Sequence, residues 1–273
     1  MSAPDIAPGR TATAEAPLVV RAAEGPIVTL TLSRGERFNP LSSAMIAALQ
    51  VELDQLASDH AARVVVLAAQ GKGFCAGHDL KEMRAHAGDE VWQRGLFDAC
   101  SRMMVTLTRI PQPVIARVHG IATAAGCQLV SMCDLAVAAE TATFALPGVN
   151  IGVFCSTPAV GVGRNVSRKR AMELLLTGQP IDARTAHAWG LVNRVAPMDA
   201  LDAEIRTLAD LILARSPATI ALGKRTFYAQ LDGTLESAYD LAGDSMACNM
   251  GYEDAVEGID AFLGKRPPVW RGR

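Results

Sequence analysis

The sequence contains no C-x-x-C pair, no G-x-S-x-G, no tandem repeat at a solenoid period and no apolar run of the roughly 18 residues that a membrane span needs. Each absence removes a class of function. The six cysteines (Cys75, Cys100, Cys127, Cys133, Cys155, Cys248) and five histidines show no zinc-type spacing, so no metal is expected and the thiols read as free, in a reducing compartment. Lack of G-x-S-x-G discounts a serine-hydrolase elbow. A net charge of −2 provides no basic field for nucleic acid, and no Lys/Arg block suggests a membrane surface. The opening "MSAPDIAPGRTATAEAP" lacks the apolar centre of a secretory signal, and its single Arg10 argues against a transit peptide. Residues 1–17 are therefore expected to form a disordered tail, and the protein to be cytoplasmic.

What is present is a large apolar inventory. Half of the 273 residues are hydrophobic, enough for a substantial core in one large domain or a domain with an appended piece. Two β-prone runs between 18 and 32 flank Glu24-Gly25-Pro26 and predict a hairpin. Ile46, Leu49, Leu53 and Leu56 recur at helical spacing after Ser42 or Ser43, either of which can cap a helix. Strand-like runs follow at 63–69, 114–118 and 135–139, each separated by helical segments or glycine-rich turns. Beyond Ser156 strand signals nearly vanish, apart from 191–195. Amphipathic helices dominate through 201–214, 218–230, 235–250 and 252–263, which predicts an α/β core followed by a helical C-terminal part.

Two glycine turns stand out. Gly71-x-Gly73-x-x-Ala76 follows a strand and has Asp89 and Glu90 further on, as a dinucleotide fingerprint would. The match is incomplete, because the intervening "HAGDEVWQRGLFDACSRMM" has helical periodicity and no second strand. A tight turn that merely needs glycines reads the same way. The second turn, "HGIATAAGCQLVSMCDLAVA", also leaves a strand through small residues and opens a helix. Unpaired N–H groups at two such helix starts, if they converge, can hold a developing oxyanion.

These turns resemble the crotonase superfamily, the enoyl-CoA hydratases and isomerases, whose signatures run approximately F-x-A-G-x-D-[LI] and H/N-G-x-x-x-G-G-G-x-E-L. The chain has Phe74-Cys75-Ala76-Gly77-His78-Asp79-Leu80, and His119-Gly120 through Gly126-Cys127-Gln128-Leu129. Agreement continues in "FALPGVNIGVFCSTPAVGVGR", "AMELLLTGQPIDARTAHAWGLVNRVAP" and "FLGKRPPVW", with "AGHDLKE" and "PGVNIGVFCSTP" pointing to one branch of the family. The resemblance implies an α/β crotonase fold: a spiral of ββα units over 18–200, then a helical trimerisation region over 201–273, assembled as a homotrimer or a dimer of trimers. It implies an acyl-CoA or enoyl-CoA thioester as partner and no separate cofactor, coenzyme A being part of the substrate.

Carried over position by position, the oxyanion donors are the amides of His78 and Ala125, with Ala125 standing where the family usually has glycine. Ala76 and Gly77 let the backbone approach the thioester and adenine, and His78, Asp79, Leu80 and Lys81 are counted with them among the CoA-binding residues; read from its own chemistry, Asp79 most simply caps the following helix, and Lys81 and Glu82 read equally as its exposed face. The His78 side chain reads as solvated or structurally bonded, with proton transfer as the alternative. Arg37 is placed near the CoA phosphates, with Phe38 and Asn39 beside pantetheine or adenosine. Lys265 and Phe262 of a neighbouring subunit are placed at the 3′-phosphate and adenine; for Lys265 and Arg266 a plain role at a helix C-terminus fits equally. The family's two catalytic glutamates are absent: Gln128 and Gly148 stand in their positions, and neither titrates. Ordinary hydration is therefore expected to be weak, and glutamates restored at both positions to raise it, unless residue 148 has a positive φ. The readings left open are a hydratase using water held by Gln128, His78, Cys155 or Ser156, a non-catalytic acyl-CoA-binding or regulatory protein, and a thioester hydrolase or decarboxylase.

Overall fold

The hairpin forms as the sequence predicts. In the computed structural model, which describes residues 16–273, Val19–Glu24 (β1) pairs antiparallel with Ile27–Leu32 (β2) through a turn in which Gly25 has φ 58°. The tail expected over 1–17 lies, for residues 1–15, outside the described residues. Ser43–Ala57 (α1) starts where Ser42 accepts the Met45 N–H at 3.2 Å, and it buries Ile46, Leu49, Leu53 and Leu56.

The chain continues through Val64–Ala69 (β3), Leu80–Ala85 (α2), Glu90–Arg109 (α3), Val114–Val118 (β4), Ala122–Thr123 (β5), Ala125–Met132 (α4), Leu135–Ala139 (β6) and Thr143–Ala145 (β7). After these come Ser156–Asn165 (α5), Arg168–Thr177 (α6), Ile181–Asp182 (β8), Ala183–Trp189 (α7) and Arg194–Ala196 (β9). Leu201–Leu213 (α8), Pro217–Gln230 (α9), Leu235–Met250 (α10) and Glu253–Leu263 (α11) complete it. The main sheet has six strands in the order β1-β2-β3-β4-β6-β9, parallel from β2 onward, and a small sheet has the order β5-β7-β8.

Both faces of the main sheet are covered, which is why its strands read as unbroken apolar runs. Val65, Leu67 and Ala69 point into the larger core with residues of α1, α3 and α4. Val64 and Val66 point the other way, against Leu201, Ile205 and Ala209 of α8. Each fully buried side chain of this size contributes about 1.5–3 kcal/mol. The strand expected at 191–195 is displaced to β9. Leu191 and Val192 are apolar because they are buried, and Asn193 ties this turn to β6 by accepting the Ala136 N–H at 2.8 Å.

Although α8 opens the region expected to be a C-terminal appendage, it seals the sheet. The helices that stand off the core begin at α9, and α10 buries none of its residues. Two polar anchors hold this unit. Lys224 of α9, itself buried, donates to Asp134 Oδ2 (2.7 Å) and to the carbonyls of Leu107 and Gln112 (both 2.8 Å), while the Tyr228 hydroxyl donates to Asp134 Oδ1 (2.9 Å). Buried Asp254 accepts from Ser216 Oγ and the amides of Arg271 and Gly272, folding the last residues back onto the start of α9.

Candidate active site

A buried side chain braces the exit from β3. Asn39, fully buried, donates through Nδ2 to the carbonyls of Gln70 (2.9 Å), Gly73 (3.0 Å) and Phe74 (3.1 Å), and accepts the Arg34 amide at 2.8 Å. The expectation that Asn39 lies beside pantetheine or adenosine is thereby corrected, since every one of its bonds goes to the protein's own backbone. Phe38 and Asn39 both adopt left-handed backbone (φ 60° and 51°), and the Phe38 carbonyl accepts the Ala76 amide at 2.9 Å.

Gly77, at φ 91°, is where the two turns interlock. A β-carbon there would lie 2.9 Å from Ala124 Cβ and 3.3 Å from the Ala125 nitrogen, so only glycine permits the approach. Close packing recurs at Gly126, where a β-carbon would sit 2.8 Å from the Cys75 carbonyl carbon. The structure thus brings His78 and Ala125 into adjacent turns. Ala125 is the first residue of α4, where an N–H has no partner within the helix. Neither its amide nor that of His78 has an acceptor among the described residues.

Backbone strain falls one residue earlier than the sequence suggested. Ala125 is helical, whereas Ala124, the residue preceding α4, has φ 50° and ψ −119°, a conformation that glycine adopts more readily. Asp79 caps α2 as expected, accepting the amides of Lys81 (2.9 Å) and Glu82 (3.3 Å). Glu82 is more than an exposed helix residue, because its carboxylate accepts the Ser43 amide at 2.9 Å and ties α2 to the start of α1. Asp89 caps α3 at the Trp92 amide, which disposes of the dinucleotide reading: no strand lies between β3 and Asp89, and the acid starts a helix instead of ending a second strand.

Gln128 lies on α4, buried, with Oε1 unpartnered among the described residues. Gly148 is buried in the 3-10 turn Pro147–Ile151 and does not have a positive φ. Steric closure is what constrains it: a β-carbon there would press on the Val153 carbonyl oxygen and stand 2.8 Å from Cys155 Sγ. Burial raises the Cys155 thiol above its usual pKa, and it pushes Cys75 and Cys127 up to about 12, so these sulfurs stay protonated.

The His78 ring packs edge-to-face on Phe97 of α3, centroids 5.4 Å apart, and its Nδ1 lies 3.2 Å from the Leu41 carbonyl oxygen. Sequence reasoning missed both partners, which come from segments with no motif. Burial lowers the His78 pKa, outweighing the opposing pull of the Leu41 bond and the Glu82 charge. Ala76, Leu80 and Lys81 are exposed at the same loop, as are Arg37 and Phe38, and the Phe38 ring lies over Gly73. Phe262 and Lys265 are at the end of α11, which packs on α9 and α10, and one chain alone does not bring them to this loop. Phe262 is 82% exposed. Arg266 is bonded to Glu257 (2.6 and 2.8 Å).

Comparison with known proteins covers nearly the whole chain. The enoyl-CoA hydratase/isomerase family profile matches residues 22–273. Mitochondrial enoyl-CoA hydratase domain-containing protein 3 of Mus musculus is 45% identical over 244 residues, 89% of this chain and 81% of that protein. Its Homo sapiens counterpart is 43% identical over 262 residues, covering 96% and 86%. This is the branch to which "AGHDLKE" and "PGVNIGVFCSTP" pointed. A Mycobacterium smegmatis enoyl-CoA hydratase crystal structure is 54% identical with a TM-score of 0.91 and covers 93% of this chain and 99% of its own. The human domain-containing protein 3 structure, 43% identical, superposes with a TM-score of 0.89 over 93% and 100%. The expectation of a cytoplasmic protein is overturned by relatives named as mitochondrial. Free thiols indicate reduction, and that property does not distinguish cytosol from an organelle matrix. On the profile, the relatives and the superpositions together, the chain belongs to the enoyl-CoA hydratase/isomerase family and has the crotonase fold.

Proposed function

We propose that the chain binds an acyl-CoA or enoyl-CoA thioester and stabilises its enolate-like anion between the amides of His78 and Ala125, while hydrating enoyl-CoA only weakly. The observation that supports this is the pair of acceptor-free amides on turns locked together at Gly77. Loss of one such donor typically costs about 10²–10³ in rate. Gln128 offers an acceptor that can hold water but cannot remove its proton, and Gly148 offers nothing, so the two-carboxylate route to hydration is absent.

In this reading Ala76, Gly77, Asp79, Leu80 and Lys81 frame the thioester and pantetheine, and Arg37 and Phe38 meet the nucleotide. Lys265 and Phe262 arrive from a second copy of the chain. Supporting an assembly, α10 and α11 expose Tyr239, Met246, Phe262 and Leu263, more apolar surface than an isolated helical layer keeps in water. A stable monomer in sedimentation at micromolar concentration would remove the trimer or dimer of trimers from this picture. Unchanged CoA affinity in both Arg37→Glu and Lys265→Glu would remove the nucleotide placement.

The decisive experiment measures calorimetric binding of butyryl-CoA beside turnover of crotonyl-CoA. Tight binding with slow hydration is the expected result, and hydration at the rate of an ordinary hydratase refutes it. The replaced acids also favour a second reading, an acyl-CoA-binding or regulatory protein, for which binding with no turnover would speak. Release of free thiol would instead indicate hydrolysis, and release of CO2 from a malonyl-type thioester would indicate decarboxylation.

A further inference from the structure

The tautomer of His78 is fixed by its neighbour. A carbonyl oxygen only accepts, so the nitrogen 3.2 Å from Leu41 O must carry a hydrogen. In the neutral ring that leaves Nε2 with a bare lone pair. This atom is buried and has no donor among the described residues. The surroundings keep the ring neutral. Phe97 of α3 presents an aromatic ring and Leu41 a carbonyl; the charge that bears on His78 is that of Glu82, which is already engaged at the start of α1. An imidazole poised as a base therefore belongs to the same residue whose amide lacks an acceptor.

Taking the turn as a thioester site, we propose that the His78 ring is its proton-transfer group, removing the α-proton of a bound acyl thioester on Nε2 and returning it. Covalent geometry keeps a histidine's amide nitrogen and its Nε2 within roughly 6 Å of each other. The α-carbon is two bonds from the oxygen that the amide would hold. The C–H electron pair moves into the bond toward the thioester carbon as the carbonyl π pair moves onto oxygen, where the two amides stabilise it. The proton rests on Nε2 as imidazolium while Nδ1–H stays on Leu41 O. While the anion persists the Nε2 proton exchanges with water, and reversal then delivers a solvent-derived proton to the same carbon, so water is the only co-reactant and the net result is isotope exchange. Such a base would also explain how the site works without carboxylates at 128 and 148.

The test uses butyryl-CoA in heavy water, following loss of the α-proton signal by NMR, with binding measured by calorimetry. His78→Asn keeps the backbone amide and places an amide nitrogen where Nδ1 stood, so the Leu41 bond survives while Nε2 disappears. Wild type is expected to bind and exchange, with a rate that falls at acid pH. His78→Asn is expected to bind within about threefold yet lose about 10²–10⁴ of the exchange rate, together with its acid limb. Exchange that persists in a folded His78→Asn, or binding without exchange in wild type, overturns the proposal and leaves the thioester site intact. No binding by wild type overturns the thioester site itself. Should His78→Asn fail to fold, the wild-type acid limb is compared with the His78 ring titration seen by NMR: coincidence supports the proposal and a mismatch of more than one pH unit overturns it.

Discussion

Replacing Gly148 by alanine adds one methyl where the chain has left no room. The new carbon would stand 2.8 Å from Cys155 Sγ and press on the Val153 carbonyl oxygen. Ordinary contact to a carbonyl oxygen begins near about 3.3 Å, so the 153–155 segment must retreat by about 1 Å. That retreat stretches the bond from the Val153 amide to the Gly148 carbonyl, now 2.9 Å. Overpacking of this kind costs about 1–3 kcal/mol and the weakened bond about 1 kcal/mol more. For a chain of this size the sum lowers Tm by about 5–15 °C. Thermal melts of Gly148→Ala beside Gly163→Ala, where a β-carbon meets open space on a helix, give the comparison. The control should match or slightly exceed wild type. Restoring the second glutamate meets the same obstacle at its first side-chain atom. Gln128→Glu alone is therefore the variant expected to raise hydration, and adding Gly148→Glu should forfeit the gain. A Gly148→Ala protein melting within about 1 °C of wild type would refute this reasoning, because the loop would then yield freely.

Ala124→Gly removes a β-carbon from a backbone conformation that costs about 1–3 kcal/mol for other residues, and should raise Tm by a few degrees; a lower Tm would show that Ala124 is unstrained. Asn39→Ala leaves three carbonyls, two of them in buried bonds, without their shared donor and should lower stability by about 2–4 kcal/mol in denaturant titrations, weakening acyl-CoA binding with it; an unchanged midpoint would mean that water takes over. Acid should also cost stability. The folded His78 pKa lies below its ordinary 6.5, so from pH 6.5 downward the unfolded chain binds more protons and ΔG falls, until the pH passes below the folded pKa. His119, likewise lowered, adds to the slope, and His78→Asn should flatten it only in part.

Much of this architecture is legible because periodicity and caps carry it. Ser42, Asp79 and the apolar repeat from Ile46 to Leu56 each mark an element by local chemistry, and the structure keeps them. The two turns are legible through their small residues, since only small residues let backbones meet. What stays hidden is whatever depends on an unmarked distant segment. Nothing in "RFNPLS" announces that Asn39 will bond to 70–74, and nothing in α3 announces Phe97 as the surface under His78. Gly148 illustrates a subtler limit. Its sequence context suggests a conformational role, yet the constraint is a neighbouring carbonyl five residues away that no local pattern encodes. The two-residue strands β5 and β8 are too short to show a period at all.

The attachment of α9 to the sheet through Lys224, Asp134 and Tyr228 has a consequence for how the chain comes apart. Oily contacts loosen gradually as surfaces slide, but a buried ammonium held by one carboxylate and two carbonyls either stays seated or leaves altogether. With α10 contributing no buried residue, the segment from Pro217 to the end is expected to behave within a single chain as one hinged panel whose latch is ionic. Such a panel swings open at a lower free energy than the sheet unravels, so amides of α10 should exchange with deuterium as a cooperative block well before those of β3 or β4. The fold thereby separates two clocks: a slow one for the core that shapes the oxyanion turns, and a faster one for the helices that would meet another copy of the chain.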